Sequence, residues 1–225
     1  MGGEGQLAAG KAKACWISGA CMKVAVRANT HVRSRWARAV VRRCSDSRVP
    51  GVPPITTMRS PGRASSAIRA ATDETFVVGL RISAGEQDDE GLTGGEALAA
   101  CVALEADLDY VNVTTGTSAS VGGAVHIAPP MAYAPGYVAP DAGAFRKALK
   151  VPVFVAGRIN QPQEAEAIIA SGKADVCGMT RAMIADPEMP NKAQVGAVDD
   201  IRACVGCNQA CIGHFHRGLP VSCIQ

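Results

Sequence analysis

From residue 75 onward, the sequence alternates short apolar, β-branched runs with longer stretches that have helical spacing. The predicted strands are Phe76–Ser83, Asp109–Thr115, Val151–Gly157 and Ala174–Thr180. A strand that is apolar along its whole length is buried on both faces, which is typical of a parallel sheet covered by helices. The alternation therefore predicts an α/β fold of four βα units, the C-terminal half of a (β/α)8 TIM barrel.

The predicted helices carry the usual terminal signals. Thr93 is placed to cap a helix over GGEALAACVALEAD, in which apolar residues recur at three- and four-residue spacing. Two more helices are predicted over residues 141–150 and 161–171, and Gly172 follows the second as its C-cap. A short helix begins at Arg181, after the fourth strand.

Charge divides the chain near residue 72. Residues 1–72 contain thirteen Lys and Arg against two acids, a net of +11, whereas residues 73–225 contain ten against eighteen, a net of −8. The first segment shows no sustained strand or helix period, so we expect it to be irregular or disordered. We therefore divide the chain into this basic region, a half barrel over 73–200 with strands equivalent to 5–8, and a cysteine segment over 201–225.

The basic segment 1–72 has three interpretations. Arginine clusters follow phosphate, so it is a candidate arm for nucleic acid or acidic lipid, and it is also a candidate solvated tail. We favour a third interpretation, in which much of it is not native coding sequence but the product of a frameshifted or misassembled gene. Reading the locus in the other two frames tests this. We expect neither a nucleic-acid partner nor a membrane span for the chain.

Four cysteines crowd the last part of the chain in the pattern C-x2-C-x3-C-x11-C. They are Cys204, Cys207, Cys211 and Cys223. Thiolates this close repel one another unless a metal centre neutralises them, and asymmetric four-cysteine sets hold iron–sulfur clusters. The spacing predicts a [4Fe–4S] cluster. The alternatives are zinc, with His214 or His216 replacing a thiolate, and disulfides. Because no secretory signal is present, we expect a reducing cytoplasm in which thiols are free.

Several segments after residue 75 carry a specific resemblance. They are VPVFVAGRINQPQEAEAIIASGKADVCGMTRAMIADPEMPNKA, CVGCNQAC, GLRIS, DYVNVTTG and HIAPPMAY. Together they resemble the iron–sulfur branch of the NADH:flavin oxidoreductase (old yellow enzyme) superfamily. That branch includes 2,4-dienoyl-CoA reductase, trimethylamine dehydrogenase and N-methylproline demethylase. The resemblance implies a TIM barrel, FMN, a [4Fe–4S] cluster and oxidoreductase activity.

The resemblance assigns FMN contacts to the ends of two strands and to one position within a third. In such barrels phosphate is held after strands seven and eight, where glycines admit backbone amides and arginines add charge. The matching positions are Gly157, Arg158, Gly178, Met179, Thr180 and Arg181. Arg81, within an apolar strand, matches an arginine that faces the flavin near N1 and the C2 carbonyl. For each of these arginines the alternative role is an ion pair with an acid.

Two other positions follow from the same resemblance. His126 is expected over the mouth of the active site, either as a substrate contact or as part of the loop structure. Asp186 and Pro187 match a turn that we interpret as a structural stop. The catalytic acid remains unassigned, because the family supplies it from the first four strands and no matching motif occurs in residues 1–72.

The implied function is a flavin-dependent oxidoreductase that transfers hydride and electrons between NAD(P)H, or an amine or enoyl-CoA substrate, and FMN. The implied partners are a small-molecule substrate, the missing barrel half, and a downstream nucleotide-binding domain or electron-transfer partner, with FAD or NAD(P)H in the full-length architecture. We expect this chain to be a fragment with little turnover. The alternative is a non-catalytic cluster- or phosphate-binding remnant of a truncated or frameshifted gene.

Overall fold

One sheet organises the chain. The computed structural model describes residues 14–17, 24–27, 61–72 and 76–225. Its strands are β1 (Ala14–Ile17), β2 (Val24–Arg27), β3 (Gly79–Ser83), β4 (Tyr110–Thr114), β5 (Val153–Ala156) and β6 (Val176–Gly178). They lie in the order β1-β2-β6-β5-β4-β3. Strands β3 to β6 are parallel, whereas β2 pairs antiparallel with both β6 and β1.

Helices connect the parallel strands. They are α1 (Pro61–Ala71), α2 (Gly94–Leu104), α3 (Val121–Ala124), α4 (Ala139–Ala148), α5 (Pro162–Ala170), α6 (Thr180–Ala185), α7 (Met189–Gln194) and α8 (His214–His216). Short 3₁₀ turns cover Glu105–Asp107 and Val198–Asp200, and a π-helical turn covers Gln209–Gly213. Within the described ranges, no helix combines the length and apolar character that crossing a membrane requires.

The predicted α/β half barrel is confirmed. All four predicted strands are present and parallel, and α2, α4 and α5 connect them. Thr93 caps α2 as expected: its Oγ1 accepts the Glu96 amide at 3.3 Å, and Glu96 Oε2 accepts the Thr93 amide at 3.0 Å. Gly172 follows α5 with a φ of 71°, a left-handed conformation that favours glycine.

The N-terminal region differs in part from the prediction of an irregular segment. Strands β1 and β2 and helix α1 are regular elements within residues 1–72. Helix α1 is joined to the barrel, because Arg69 Nη2 lies 2.7 Å from Asp109 Oδ2 and Arg69 Nε donates to the Asp107 carbonyl at 2.8 Å. The remainder of that prediction lies outside the described residues, and the boundary at residue 72 stays a prediction.

The two faces of the parallel sheet have different chemistry. Valines on one face are fully buried in the core: Val111, Val113, Val153 and Val155. Because side chains alternate along a strand, the intervening residues face the other side. There Arg81, Asn112 and Phe154 stand in register across β3, β4 and β5. This second face leads to the candidate site.

Candidate functional site

A cavity of about 250 Å³ opens at the carboxyl ends of the parallel strands. Polar and small residues that follow the strands make up much of its wall. Its lining includes most of the predicted flavin contacts: Arg81, Gly157, Arg158, Gly178, Thr180 and Arg181. Residues from three different strands therefore meet at one place, as the resemblance implies. Their contacts with FMN stay a prediction.

Met179 is placed differently from the other predicted contacts. Its side chain is 1% exposed and belongs to the hydrophobic core, and it does not line the cavity. The residue occupies the position before helix α6, so its neighbours Gly178 and Thr180 reach the cavity while its thioether points away. Met179 is not among the residues that line the cavity, so its placement gives no support to the predicted contact with FMN.

Asn112 is a cavity residue that our sequence reasoning missed. It is 6% exposed and lines the cavity beside Arg81 and Phe154. Its Oδ1 is buried and has no hydrogen-bond partner among the described residues. A buried acceptor without a partner is costly, so its position favours a ligand that donates a hydrogen bond there. The available signal was a polar amide between two valines in the apolar run DYVNVTT.

Arg158 has an uncommon backbone. Its φ is 49°, in the left-handed region that non-glycine residues seldom occupy, and its carbonyl oxygen accepts the Gly136 amide at 2.9 Å. Its Nε is buried and, within the described part of the chain, lacks a partner. At the preceding Gly157, a Cβ would lie 2.3 Å from Val138 Cγ2, so no larger residue fits. Such conformations cluster at functional sites, where the surrounding structure maintains them.

Arg181 connects the cavity to the cysteine segment. Its Nη1 donates to the Pro129 carbonyl at 2.7 Å and to Asn208 Oδ1 at 2.6 Å. The ion pairs recorded between described residues include none of Arg81, Arg158 and Arg181. The alternative that these arginines serve to pair with acids therefore finds no support in this part of the chain.

The four predicted ligand cysteines line one small cavity beside Arg181. All four are free thiols. Burial raises the pKa of the Cys204 thiol, while the Gly206 amide and Arg181 act in the opposite direction. In the described ranges, no group of three or more His, Cys, Asp or Glu side chains is placed to hold a metal ion. The thiols therefore share one wall, and their role as ligands stays a prediction.

The two histidines proposed as zinc ligands lie elsewhere. Neither His214 nor His216 lines the cavity of the cysteines. His214 Nδ1 instead lies 2.9 Å from the Pro220 carbonyl oxygen, and His216 is exposed on α8. Their placement does not favour a mixed cysteine–histidine site.

Hydrogen bonds hold the cysteine segment against the barrel. Asn160 Nδ2 donates to the Cys204 carbonyl at 3.0 Å, and the Arg202 amide donates to Asp186 Oδ2 at 3.0 Å. Asn160 follows β5 and Asp186 follows α6, so both anchors come from the strand-end side of the sheet. The ends of the last two strands thus position both the cavity and the cysteines.

His126 lies at the cavity wall, where the resemblance places it. It belongs to an aromatic cluster with Tyr133 and Tyr137, whose ring centroids lie 4.9 Å and 6.1 Å from the histidine ring. Tyr137 Oη donates to the His126 carbonyl oxygen at 3.0 Å. Burial raises the pKa of Tyr137 to about 12, so this hydroxyl remains a donor at neutral pH. A substrate contact by His126 stays a prediction.

Comparison with known proteins identifies relatives of this arrangement. The model of the NADH:flavin oxidoreductase / NADH oxidase family matches residues 65–200. A metal reductase of Desulforamulus reducens is 39% identical over 161 residues, which cover 71% of this chain and 23% of that protein. An N,N-dimethylglycine/sarcosine dehydrogenase of Chromohalobacter salexigens is 37% identical, with coverage of 71% and 23%.

Solved structures show the same fold. A 2-naphthoyl-CoA reductase in complex with 2-naphthoyl-CoA superposes with a TM-score of 0.66 at 29% identity, covering 72% of this chain and 24% of that one. Histamine dehydrogenase from Rhizobium sp. 4-9 superposes with a TM-score of 0.62 at 24% identity, covering 71% and 22%. The chain therefore spans about a quarter of the length of the relatives it matches.

Proposed function

The chain belongs to the NADH:flavin oxidoreductase / NADH oxidase family, an oxidoreductase family, and we propose that the two cavities described above hold FMN and a [4Fe–4S] cluster. The observation that carries the proposal is the meeting of two sites at one set of strand ends. Arg181 lines both the larger cavity and the cavity of the four cysteines. The proposed FMN site and the proposed cluster site therefore share Arg181 as a wall residue.

The residues of the larger cavity fit FMN. Two buried polar atoms lack partners among the described residues: Asn112 Oδ1, which accepts, and Arg158 Nε, which donates. A flavin offers an imide N–H and carbonyl oxygens on its ring and a phosphate on its side chain, so it matches both needs. Arg81, in register with Asn112, adds a positive charge beside the ring.

The phosphate would lie at Gly157, Gly178 and Arg181. Glycine allows close approach of backbone amides, and both of the Arg181 hydrogen bonds use Nη1. Since a guanidinium has five N–H donors, three on Nε and Nη2 remain for a phosphate. FMN, when bound, supplies hydride transfer at its ring. The residues of this chain bind it, orient it and provide charge.

The cysteine cavity would hold the cluster through Cys204, Cys207, Cys211 and Cys223. An iron–sulfur cluster supplies single-electron transfer. The dimethylamine dehydrogenase of Hyphomicrobium, 41% identical over 81 residues covering 36% of this chain and 11% of that protein, is a relative whose name indicates amine oxidation. We propose for this chain an FMN beside a [4Fe–4S] cluster, in a reducing, cytoplasmic setting where thiols are free to bind metal.

The substrate and partners are proposed at the level of chemical class. Names among the relatives indicate reduction of metals and acyl-CoA esters and oxidation of N-methylated amines. We propose hydride exchange of FMN with NAD(P)H and with an amine or an enoyl-CoA, and we propose His126 as a contact on the substrate side. The other barrel half and a nucleotide-binding or electron-transfer partner would complete the site, because this chain spans 23% of two relatives.

An anaerobic assay of iron, acid-labile sulfide and flavin on the purified chain tests the proposal. We expect about four irons and four sulfides per chain with broad absorbance near roughly 400 nm, together with bound FMN. The Cys211→Ser variant should lose the cluster, and His214→Ala should retain it. Zinc alone, or iron that survives Cys211→Ser, would contradict the cluster. Cluster without FMN would instead support the alternative of a non-catalytic cluster-binding remnant, which no observation favours at present.

A further inference from the structure

The loop of residues 126–131, beside the larger cavity, is hydrogen-bonded to the cysteine segment. Its residues 126–129 line the cavity, and three of their carbonyl groups, those of His126, Ala128 and Pro129, accept hydrogen bonds from side chains outside the loop. Asn208 Nδ2 donates to the Ala128 carbonyl at 2.6 Å, and Arg181 Nη1 donates to the Pro129 carbonyl at 2.7 Å. The loop carrying His126 is therefore connected to the segment that holds the thiols.

Asn208 is the central residue of this connection. Its amide nitrogen holds the loop, and its Oδ1 accepts from Arg181 at 2.6 Å, so both ends of one side chain are engaged. Its φ is 59°, a left-handed conformation that asparagine tolerates better than most residues. Because Asn208 directly follows Cys207, any restraint on that cysteine also orients the amide.

The backbone at Gly206 gives a second contact between the cysteine segment and the loop. Gly206 has a φ of 74°, and a Cβ there would lie 3.2 Å from Arg158 Nε and 3.3 Å from the Met131 amide nitrogen. The backbone between Cys204 and Cys207 thus lies directly against the far end of the same loop. Glycine at this position permits both the turn and the close approach.

Apart from Pro129, whose side chain is fully buried, the loop has little apolar anchorage near this point. Ile127 is 50% exposed and Met131 is 58% exposed, so these side chains contribute only part of their area to a core. Segments with few buried apolar contacts open locally at low free-energy cost. Beside the buried Pro129, the hydrogen bonds from Asn208 and Arg181 are therefore part of what holds residues 127–131 in place.

We propose that Asn208 is a positioning residue that makes the order of loop 126–131 depend on occupancy of the four-cysteine site. This inference rests on the proposed cluster. With the thiols ligated, Cys207 is held, Asn208 keeps its amide on Ala128, and the loop presents His126 to the cavity. With the thiols free, the segment moves more freely and the loop opens more often.

Hydrogen–deuterium exchange by mass spectrometry on the full chain tests this. Peptides covering residues 126–133 are compared in cluster-loaded and cluster-free protein, for the native sequence, Asn208→Gly and Asn208→Asp. Glycine keeps the left-handed backbone without the amide, and aspartate keeps an acceptor for Arg181 but loses the donor. We expect the cluster to slow exchange by about twofold to tenfold in the native chain and not in either variant.

Asn191→Ala is the matched control, because among the described residues Asn191 Nδ2 donates to the exposed Glu188, at 2.6 Å, and not to the loop. It should exchange like the native chain. Equal exchange with and without cluster in the native chain, or a cluster effect that persists in both Asn208 variants, would overturn the inference. Iron and sulfide contents are measured on the same samples. A native chain that takes up no cluster overturns the cofactor assignment, and the variants still show whether Asn208 holds the loop.

Discussion

The Asp186 carboxylate joins Lys192 to the start of the cysteine segment: its Oδ2 lies 2.7 Å from Lys192 Nζ and 3.0 Å from the Arg202 amide nitrogen. Asp186 is 1% exposed. Its other oxygen accepts the Glu188 amide at 3.0 Å. The turn interpreted from the sequence as a structural stop is therefore also an anchor, since it fastens the cysteine segment to the barrel.

Asp186→Asn should destabilise the chain at neutral pH. It should also make the free energy of unfolding depend less on pH in acid. Burial acts to raise the pKa of Asp186, but the hydrogen bonds from Lys192, Arg202 and Glu188 outweigh it and lower the pKa. A carboxyl whose folded pKa is lowered stabilises the fold above its unfolded pKa of about 3.9, and this contribution disappears as pH falls through the folded value. We expect a loss of about 1–3 kcal/mol at pH 7.

Urea unfolding followed by circular dichroism between about pH 2 and 7 measures this effect. Asp199→Asn makes the same change of charge at an exposed residue and should stay within about 0.5 kcal/mol of the native chain. Equal acid dependence in Asp186→Asn and the native chain would show that the anchor is not formed.

Gly79→Ala should destabilise β3 through a clash with Tyr110. A Cβ at Gly79 would lie 2.0 Å from Tyr110 Cζ, and the Tyr110 ring stacks on Phe154 with centroids 4.6 Å apart. Overpacking of this kind costs about 1–3 kcal/mol. In the Tyr110→Ala background the cost should shrink, because the clashing ring is absent.

The control for this prediction is Gly95→Ala. A Cβ at Gly95 meets nothing within 4 Å, and the residue lies in α2. Alanine there should stabilise the chain by about 0.5–1 kcal/mol through helix propensity. Thermal unfolding of the single and double variants gives the change in stability for Gly79→Ala and for Gly95→Ala. An equal cost of Gly79→Ala in the native and Tyr110→Ala backgrounds would contradict the clash.

Arg81→Ala should weaken FMN binding by about tenfold to a hundredfold, which corresponds to the loss of one charge-assisted hydrogen bond. Arg81 lines the cavity and stands in register with Asn112. Quenching of flavin fluorescence during titration of the full chain measures the dissociation constant. Lys147→Ala removes a positive charge from the exposed surface of α4 and should leave it unchanged. Equal affinities for Arg81→Ala and Lys147→Ala would remove Arg81 from the site.

Tyr137→Phe should reduce the alkaline sensitivity of the fold. Burial raises the pKa of Tyr137 to about 12, above an unfolded value near 10. A raised folded pKa stabilises the chain below the unfolded value, and that contribution is lost as pH rises from about 10 to about 12. The variant also loses the hydrogen bond to the His126 carbonyl, which costs about 0.5–1.5 kcal/mol at pH 7.

Urea unfolding at neutral and alkaline pH checks both effects. Tyr133→Phe is the matched control, since Tyr133 contacts His126 through its ring and not through a recorded hydroxyl hydrogen bond between described residues. The control should lie within about 0.5 kcal/mol of the native chain at pH 7. A Tyr137→Phe variant that loses stability in alkali as steeply as Tyr133→Phe would contradict the role assigned to burial.

Much of the barrel half could be predicted because its signals are local. The apolar runs marked the four parallel strands, and Thr93 and Gly172 marked helix ends through backbone preferences that act within a few residues. Strands β1 and β2 could not be predicted, because strands this short depend on their pairing: β1 pairs with β2, and β2 pairs with β6, which is distant in sequence.

The candidate site was predictable in its residue types and less so in its contacts. Spacing alone singled out the four cysteines, and the family resemblance singled out Arg158 and Arg181 at the strand ends. Asn112 escaped notice because its importance depends on a buried acceptor without a partner, which only packed neighbours create. Met179 is the converse case: the resemblance marked it as a cofactor contact, but its side chain lies in the core before α6.

By itself, the sequence determined the α/β class, the parallel order of four strands and the set of four thiols, since these follow from periodicity and spacing along the chain. The tertiary structure decided which of these residues meet. Arg181 reaches Asn208 across 27 positions, and Asn208 reaches Ala128 across 80. Contacts of that kind depend on how the strand ends are brought together. No local preference encodes them, because each hydrogen bond forms only after the sheet has placed its partners within reach.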